Sequence, residues 1–374
     1  MAGIYIHIPF CKQKCTYCDF HFSTTFEQYR TEMIASIVSE IEVRKSYLDR
    51  KDIQTIYFGG GTPSILLEEE LNQILTKVYE VFNVTNSVEI TLEANPDDIS
   101  NDNLDVWKKA GVNRLSIGLQ SFKKSDLEWM NRAHTAEDSL ECIKKAQEKG
   151  FFNITVDLMY GLPDLTMNEW ENHIQRIIDL NVPHISAYCL SVEDKTVLSN
   201  WVKSEKIIPA SEDQQSDQFL KLLEVLEANE FAQYEISNFS KAGHESRHNS
   251  NYWKGEWYLG VGPSAHSFNG TSRSWNLRNN PKYISAIKEG LSFIETEELS
   301  KTDQFNERIL IGLRTIYGVN LDDLAHLLPI SIHFSENLAN FKEQGWIVQS
   351  ENRLTLTKEG KLRADYIASE LFYD

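Results

Sequence analysis

Three cysteines lie close together near the start of the chain, as Cys11, Cys15 and Cys18 in "CKQKCTYC". Their i, i+4, i+7 spacing also describes one face of a helix, so a stripe of buried thiols is one interpretation. A zinc site is a second, because His21 would complete a set of four ligands. A third is a [4Fe-4S] cluster with three thiolates, whose open iron could chelate a small molecule through an amine and a carboxylate.

The residues around the cysteines favour a metal loop over a core stripe. Pro9 follows a β-rich run, and the residues between the thiols are mostly polar. The chain has five cysteines in 374 residues, and this odd count fits free or metal-bound thiols in a reducing compartment. Cys142 lies in a helical pattern and Cys189 in a strand pattern, and we predict that both are core residues. The zinc and cluster interpretations both stay open on the loop alone.

The elements that must position this loop are short β-rich runs that alternate with helical patterns of 10 to 20 residues. The runs cover residues 3–8, 53–58, 87–94, 114–120, 154–161 and 185–191. Such alternation predicts a parallel α/β sheet with its functional groups at the carboxyl ends of the strands. Six units are fewer than the eight of a closed barrel, so we expect a partial (β/α)6 barrel, with a doubly wound sheet as the alternative.

The pattern changes after the sixth unit. Residues 212–230 read as an amphipathic helix and "AQYEISNFS" as one more strand, after which Gly, Asn, Ser and aromatic residues dominate up to about residue 280. From about residue 296 there are short helices, a hairpin with its turn at Glu351-Asn352, and a last helix, which together indicate a winged-helix-like domain. We therefore predict three segments: a core at 1–237, a connecting region at 238–295 and a C-terminal domain at 296–374.

Composition narrows the class of partner and compartment. The formal net charge is −18, so the average surface repels phosphate backbones and anionic lipids, and we expect no nucleic acid as the main partner. The terminal domain is then more typical of a packing or partner-binding module than of a DNA reader. No apolar run approaches a membrane span, and the N-terminus is unlike a signal peptide. We expect a cytoplasmic protein.

Five further segments follow the cysteine loop in a characteristic order, and they are "YFGGGTP", "EANP", "GLQSF", "MNRAH" and "DLMYGLP". With the Cys-x-x-x-Cys-x-x-Cys loop, they resemble the radical S-adenosylmethionine (SAM) superfamily. Within it, they are similar to the family of the oxygen-independent coproporphyrinogen oxidase HemN and the heme chaperone HemW. The resemblance spans residues 4 to about 270 and is weaker in the C-terminal domain.

The resemblance implies a [4Fe-4S] cluster on the three cysteines and reductive cleavage of bound SAM to methionine and a 5'-deoxyadenosyl radical. Glu93 and Asp157 would accept hydrogen bonds from the ribose or amino group, Gln120 would hydrogen-bond SAM, and Arg132 would pair with its carboxylate. The implied SAM-binding set is Tyr5, Tyr17, Gly60, Gly61, Thr62, Glu93, Gln120, Arg132 and Asp157.

The residues themselves leave simpler interpretations beside the implied ones. Gly59, Gly60 and Gly61 would let the backbone approach a ligand, yet glycines also form ordinary tight turns. Both tyrosines of the implied set could equally be barrel packing residues. Each implied polar residue lies at or just beyond a strand end, which is where the chemistry of such a fold collects.

Three features favour the chaperone branch over the oxidase branch. The oxidase branch has a longer leading segment and a further cysteine two residues after the cluster motif, whereas this chain has Phe20 there and ten residues before Cys11. "HNSNYW" resembles the His-Asn-x-x-Tyr-Trp heme motif of the HemW branch, with His248 as the expected heme ligand and His266 as an alternative.

The sequence therefore predicts a heme chaperone whose cofactors are a [4Fe-4S] cluster, SAM and heme, and whose partner is an unidentified heme-accepting protein. The alternative function is a coproporphyrinogen III oxidase that uses SAM radical chemistry. Whether SAM is cleaved, gates the protein as a ligand or serves another reaction stays open. A redox-labile cluster near the surface favours a homodimer.

Overall fold

The computed structural model describes residues 1–49 and 51–373. Its first half consists, in chain order, of β1 (Ala2–Ile8), α1 (Arg30–Val43), β2 (Ile53–Gly60), α2 (Glu68–Val81), β3 (Val84–Ala94), α3 (Asn101–Lys109), β4 (Arg114–Gln120), α4 (Lys124–Trp129), α5 (Ala136–Glu148), β5 (Ile154–Tyr160), α6 (Met167–Asp179) and β6 (His184–Cys189). The six strands pair in chain order and all run parallel. The predicted six-unit partial barrel is confirmed.

The strands alternate in an order that places polar side chains inside the barrel. In β2, Ile56 and Phe58 pack into the apolar core shared with the helices, whereas Tyr57 hydrogen-bonds Glu93 of β3 across the interior. The same alternation recurs in the other strands, because helices cover the outer face of the sheet and the apolar side chains pack against them. The interior of the barrel, here called the bore, is therefore unusually polar.

The predicted seventh strand is a hairpin. The chain continues through α7 (Val197–Lys203) and α8 (Glu212–Ala228) into β7 (Ala232–Glu235) and β8 (Asn238–Ser240). It reverses where the Glu235 carboxylate accepts a hydrogen bond from the Ser237 backbone at 3.1 Å. Because β8 then pairs antiparallel with β6, the parallel series ends there.

The glycine- and aromatic-rich region extends the sheet at its opposite edge. It forms α9 (Arg247–Trp253), β9 (Trp257–Val261), β10 (His266–Phe268), β11 (Ser272–Asn276), α10 (Asn280–Glu289) and β12 (Ile294–Glu298). β9 pairs parallel with β1, and β10 to β12 follow as antiparallel neighbours, so the sheet has twelve strands in the described residues. α9 lies against β1 and β2 beside the bore.

The C-terminal part has its own apolar core. It comprises α11 (Lys301–Leu313), β13 (Val319–Asn320), α12 (Leu321–Leu327), α13 (Ile332–Glu343), β14 (Ile347–Ser350), β15 (Arg353–Leu356), α14 (Lys358–Lys361) and α15 (Ala364–Glu370). The hairpin turn falls at Glu351-Asn352 as predicted, and β13 completes a three-stranded sheet typical of a winged helix. Across the described part of the chain, every helix is too short or too polar to cross a bilayer.

The C-terminal domain packs on the hairpin and on α9. The backbone N–H of Ile236 donates to the Arg314 carbonyl at 2.9 Å, and that of Ile316 donates to the Tyr234 carbonyl at 3.1 Å. The Arg314 guanidinium also lies 5.8 Å from the centre of the Trp253 ring. α9 is therefore held between the barrel and the C-terminal domain.

Candidate functional site

The cysteine loop follows β1 and lines a cavity of about 520 Å³ at the carboxyl ends of the strands. Cys11, Cys15 and Cys18 all lie in its wall. The Thr62 hydroxyl donates to the sulfur of Cys11 at 3.3 Å, and the Arg132 guanidinium lies 3.6 Å from the sulfur of Cys15. Such donors stabilise thiolates, so the loop offers three sulfur ligands in surroundings suited to an iron-sulfur cluster.

Burial keeps the thiols of Cys11 and Cys18 protonated before a cluster is bound. It raises the pKa of Cys11 to about 12, against the opposing hydrogen bond from Thr62, and the pKa of Cys18 to about 11. Thiolates rather than thiols bind iron, so cluster assembly must release these protons.

His21 does not join the three thiols. Its Nε2 donates to the Oδ1 of Asn280 at 2.7 Å, and its backbone carbonyl accepts from the His7 ring at 2.8 Å. Within residues 1–49 and 51–373, no three His, Cys, Asp or Glu side chains converge as ligands of a single ion. The arrangement of His21 therefore gives the zinc interpretation no fourth ligand.

The glycines of "GGGTP" are required by packing on β1. A Cβ on Gly60 would lie 2.5 Å from the His7 ring, and one on Gly61 would lie 2.5 Å from the Phe10 carbonyl oxygen. Gly61 and Thr62 donate backbone hydrogen bonds to Ile8 and Phe10 at 2.8 and 2.7 Å. The glycines therefore let the backbone of this loop approach β1 and the start of the cysteine loop. Their hydrogen bonds hold the cysteine loop in place.

Two partly buried carboxylates, Glu93 and Asp157, line the cavity. Burial raises the pKa of Glu93 to about 7 and that of Asp157 to about 6. Glu93 accepts from the Tyr57 hydroxyl at 2.8 Å and from the Gly60 backbone at 3.2 Å. No Lys or Arg of the described ranges forms an ion pair with either carboxylate, which leaves their charge for a cationic ligand such as the sulfonium and amine of SAM.

Arg132 offers the matching cation. It is partly buried, its Nη2 donates to Asn95 at 2.8 Å and to the Gly118 carbonyl at 2.6 Å, and its buried Nε has no partner among the described residues. An unpartnered guanidinium nitrogen beside a cavity fits a ligand carboxylate. Gln120 also lines the cavity, in a left-handed conformation with φ of 70° that few non-glycine residues adopt.

The two predicted tyrosines lie at different depths. Tyr17 lines the cavity, whereas Tyr5 lies outside its wall and donates to the His7 Nδ1 at 3.2 Å, with the vacant Cβ position of Gly59 against its ring. Its contact with SAM stays a prediction. The tyrosine of this layer that does reach the cavity is Tyr57. Tyr57 lies in β2, two residues before Gly59, so the alternation of that strand could have identified it as an inward-facing residue.

Other cavity residues were not among the predicted site residues, although Asn95 and Asn249 lie in two of the motifs. The cavity is also lined by Asn95, Ser186, Tyr188, Cys189 and Asn249. Cys142 is buried in α5 as predicted, but the core prediction for Cys189 is wrong, because its partly exposed thiol ends β6 in the cavity wall. Ser186 and Tyr188 are the inward positions of β6, so strand alternation could have identified them.

His248 of the aromatic motif lies in the bore. Its Nδ1 is 2.8 Å from the Thr55 hydroxyl, its Nε2 is 2.9 Å from the Tyr252 hydroxyl, and its ring stacks on Tyr57 at 5.0 Å. Burial lowers its pKa to about 3, and the charge of Arg114 lowers it further. His248 is therefore a neutral imidazole with both nitrogens occupied. His266 is exposed, with its ring 6.2 Å from Trp275.

The fold and the cysteine-lined cavity define a radical SAM protein. The family model of the radical SAM superfamily matches residues 5–177, and that of the HemN C-terminal domain matches residues 299–363. The solved structure of the Escherichia coli coproporphyrinogen III oxidase HemN, described as a radical SAM enzyme, superimposes with a TM-score of 0.86 over 99% of this chain and 90% of that one. At 22% identity, this likeness shows the fold.

The chain belongs to the HemW family within that superfamily. It is 37% identical to the heme chaperone HemW of Bacillus subtilis, over 97% of each chain. It is 33% identical to the heme chaperone HemW of Lactococcus lactis, over 95% of this chain and 93% of the relative. The superfamily implies a [4Fe-4S] cluster and SAM, and the thiols, Arg132 and the unpaired carboxylates fit both. Cys11, Cys15 and Cys18 would hold the cluster, which in this superfamily would supply an electron to the sulfonium of SAM.

Proposed function

We propose that the protein is a heme chaperone that binds heme through His248, carries a SAM-chelating cluster on its three cysteines, and passes heme to an acceptor protein. The observation that carries the proposal is the His-Asn-x-x-Tyr-Trp motif of α9 in a chain 37% identical to a heme chaperone. The proposal also assigns Glu93, Gln120, Arg132 and Asp157 to SAM.

The chemistry of His248 supports heme ligation. A neutral imidazole is the form that binds iron, and the low pKa keeps this ring neutral throughout the physiological range. In the docked position of α9 both ring nitrogens are hydrogen-bonded, so heme binding requires the ring to leave the bore. Two hydrogen bonds are worth about 1 kcal/mol each in net stability, a cost that an iron–imidazole bond can offset.

Phe20 supports a carrier over a porphyrinogen oxidase. Its side chain is 68% exposed in the mouth of the cavity, so an apolar ring stands where the oxidase branch has a thiol. The likeness to the oxidase structure concerns the fold and gives no independent support for that activity.

Heme transfer is tested directly with heme-loaded protein. The reconstituted protein is loaded with one equivalent of heme, mixed anaerobically with an apo-hemoprotein, and separated from it by size. We expect heme to move to the acceptor faster than it dissociates into a solution that contains only a heme scavenger. Equal rates in the two mixtures would mean passive release, and the chaperone proposal would fail.

The oxidase alternative has a separate test. The reconstituted protein is incubated anaerobically with SAM, a reductant and coproporphyrinogen III, and the tetrapyrroles are analysed by chromatography. We expect the porphyrinogen to persist. Accumulation of protoporphyrinogen IX would replace the chaperone proposal with the alternative.

A further inference from the structure

The seven residues of α9 face three different parts of the molecule. His248 enters the bore. The next residue, Asn249, lines the cavity at the cysteine loop, together with Glu93 and Asp157. Because the proposed function places SAM there, this cavity is here called the SAM cavity. Asn251 lines a second cavity, of about 760 Å³, on the other side of the helix. The helix that carries the heme motif is thus also part of the wall of the SAM cavity.

The Asn249 side chain is free to meet a ligand. Its backbone N–H donates to the Ser246 hydroxyl at 3.3 Å, but its carboxamide has no hydrogen-bond partner in the described ranges 1–49 and 51–373. A carboxamide can donate and accept at once, so it suits the polar groups of SAM.

In the structure α9 is docked, which here means that His248 lies in the bore. Heme ligation by His248 and this docked position exclude each other. A Cβ on Gly3 would lie 3.2 Å from the His248 ring, which is also packed against Tyr57 and hydrogen-bonded to Thr55 and Tyr252. No heme iron can approach either ring nitrogen while these contacts persist. His248 and Asn249 are consecutive residues of one helix, so a movement of α9 that takes His248 out of the bore also takes Asn249 out of the cavity wall.

We propose that Asn249 contacts bound SAM and thereby makes SAM and heme binding antagonistic, with SAM favouring the docked α9 and heme the undocked one. This inference rests on the proposed heme function and adds its regulation. The apparent affinity for heme is proportional to the fraction of molecules in which α9 is undocked, so SAM lowers the affinity for heme. By thermodynamic linkage, heme lowers the affinity for SAM by the same factor. SAM binding would then promote heme release.

The test is a pair of heme titrations on the anaerobically reconstituted protein, with and without saturating SAM. No reductant is added, so that SAM is not consumed. We expect SAM to weaken heme binding at least about fivefold, the lower end of typical coupling between sites. The Asn249→Ala variant should bind heme with a ratio near one between the two titrations.

The matched control is Asn251→Ala, which removes a carboxamide from the opposite face of the same helix and should keep the wild-type ratio. The reciprocal SAM titration, with and without heme, should give the same factor. An unchanged heme affinity in the wild type, or a wild-type ratio in Asn249→Ala, overturns the coupling while leaving heme binding intact. Loss of His248-dependent heme binding altogether would instead overturn the proposed function.

Discussion

At the scale of residues, burial has the same effect on two kinds of group. It keeps the thiols of Cys11 and Cys18 protonated, and it raises the pKa values of the Glu93 and Asp157 carboxyls toward neutrality. Glu93 has a pKa of about 7, raised first by burial and then by the charge of Asp157. A cationic ligand favours the ionised carboxylate, so SAM binding must expel a proton wherever Glu93 is neutral beforehand. The affinity for SAM should therefore depend on pH close to neutrality.

We predict that the affinity for SAM rises about tenfold between pH 6 and pH 8, as the fraction of ionised Glu93 grows. The Glu93→Gln variant should bind more weakly and keep only the smaller dependence that Asp157 contributes. Anaerobic equilibrium dialysis at several pH values measures both. The control is Glu193→Gln, which removes an exposed carboxylate from the same cavity and should retain the wild-type profile. A flat profile in the wild type would contradict the assignment of Glu93 to SAM.

The cysteine loop and the polar strand ends could be predicted from the sequence because their segments are local and ordered. The depth of a side chain in the bore could not be predicted, because it depends on the register in which neighbouring strands pair. Tyr5 and Tyr57 are register partners in β1 and β2, yet only Tyr57 reaches the cavity. The burial of His248 was equally hidden, since α9 meets Thr55 across 193 residues of chain.

At the scale of elements, the loops after the first three strands are tied together by Asp98. This buried carboxylate accepts from the Ser64 hydroxyl at 2.7 Å and forms an ion pair with Lys12 of the cysteine loop. The bonds join one residue from each loop, so they hold the cysteine loop against its two neighbours. Asp98 is therefore a positioning residue for the cluster.

We predict that Asp98→Ala lowers the free energy of unfolding by about 2 kcal/mol, the value of hydrogen bonds to a charged group. The variant should also lose iron to a chelator faster than the wild type, because the loop is less constrained. Asp97→Ala removes a longer, more exposed contact with Lys12, at 3.7 Å, and should behave like the wild type. Equal rates of iron loss in the Asp98 variant and the wild type would disprove the positioning role.

The six βα units were predictable because long periodic runs specify them. The hairpin of β7 and β8 and the four added strands β9 to β12 were not, because strands of three to five residues carry little periodic signal. The pairing of β9 with β1 also joins residues some 250 positions apart, which no local pattern encodes.

At the scale of the whole molecule, the added strands are joined to the barrel by a buried carboxylate. Glu40 of α1 accepts from the Tyr283 hydroxyl at 2.6 Å, from Asn276 at 2.7 Å and from the Gly262 backbone at 2.8 Å, and it lies 3.4 Å from Arg44. Its side chain is fully buried. These contacts connect α1 to the segment that follows α9.

We predict that Glu40→Ala destabilises the protein by about 3–5 kcal/mol, because it leaves Arg44 and three buried donors without their partner. Urea unfolding measures the loss. Glu32→Ala, on the same helix, removes only a half-exposed ion pair with Lys288 and should cost less than about 1 kcal/mol. If Glu40→Ala fails to fold, Tyr283→Phe should still cost about 1 kcal/mol. Similar unfolding curves for Glu40→Ala and the wild type would refute the role of Glu40.

Heme ligation by His248 is the core of the proposed function, and a heme titration tests it with two histidine variants. Heme is added anaerobically to the wild type, His248→Ala and His266→Ala, and the Soret band is followed. We expect the His248 variant to lose the ligated spectrum and to bind heme with roughly tenfold or more lower affinity, while His266→Ala matches the wild type. An unchanged spectrum and an unchanged heme affinity in His248→Ala would show that His248 is not the heme ligand.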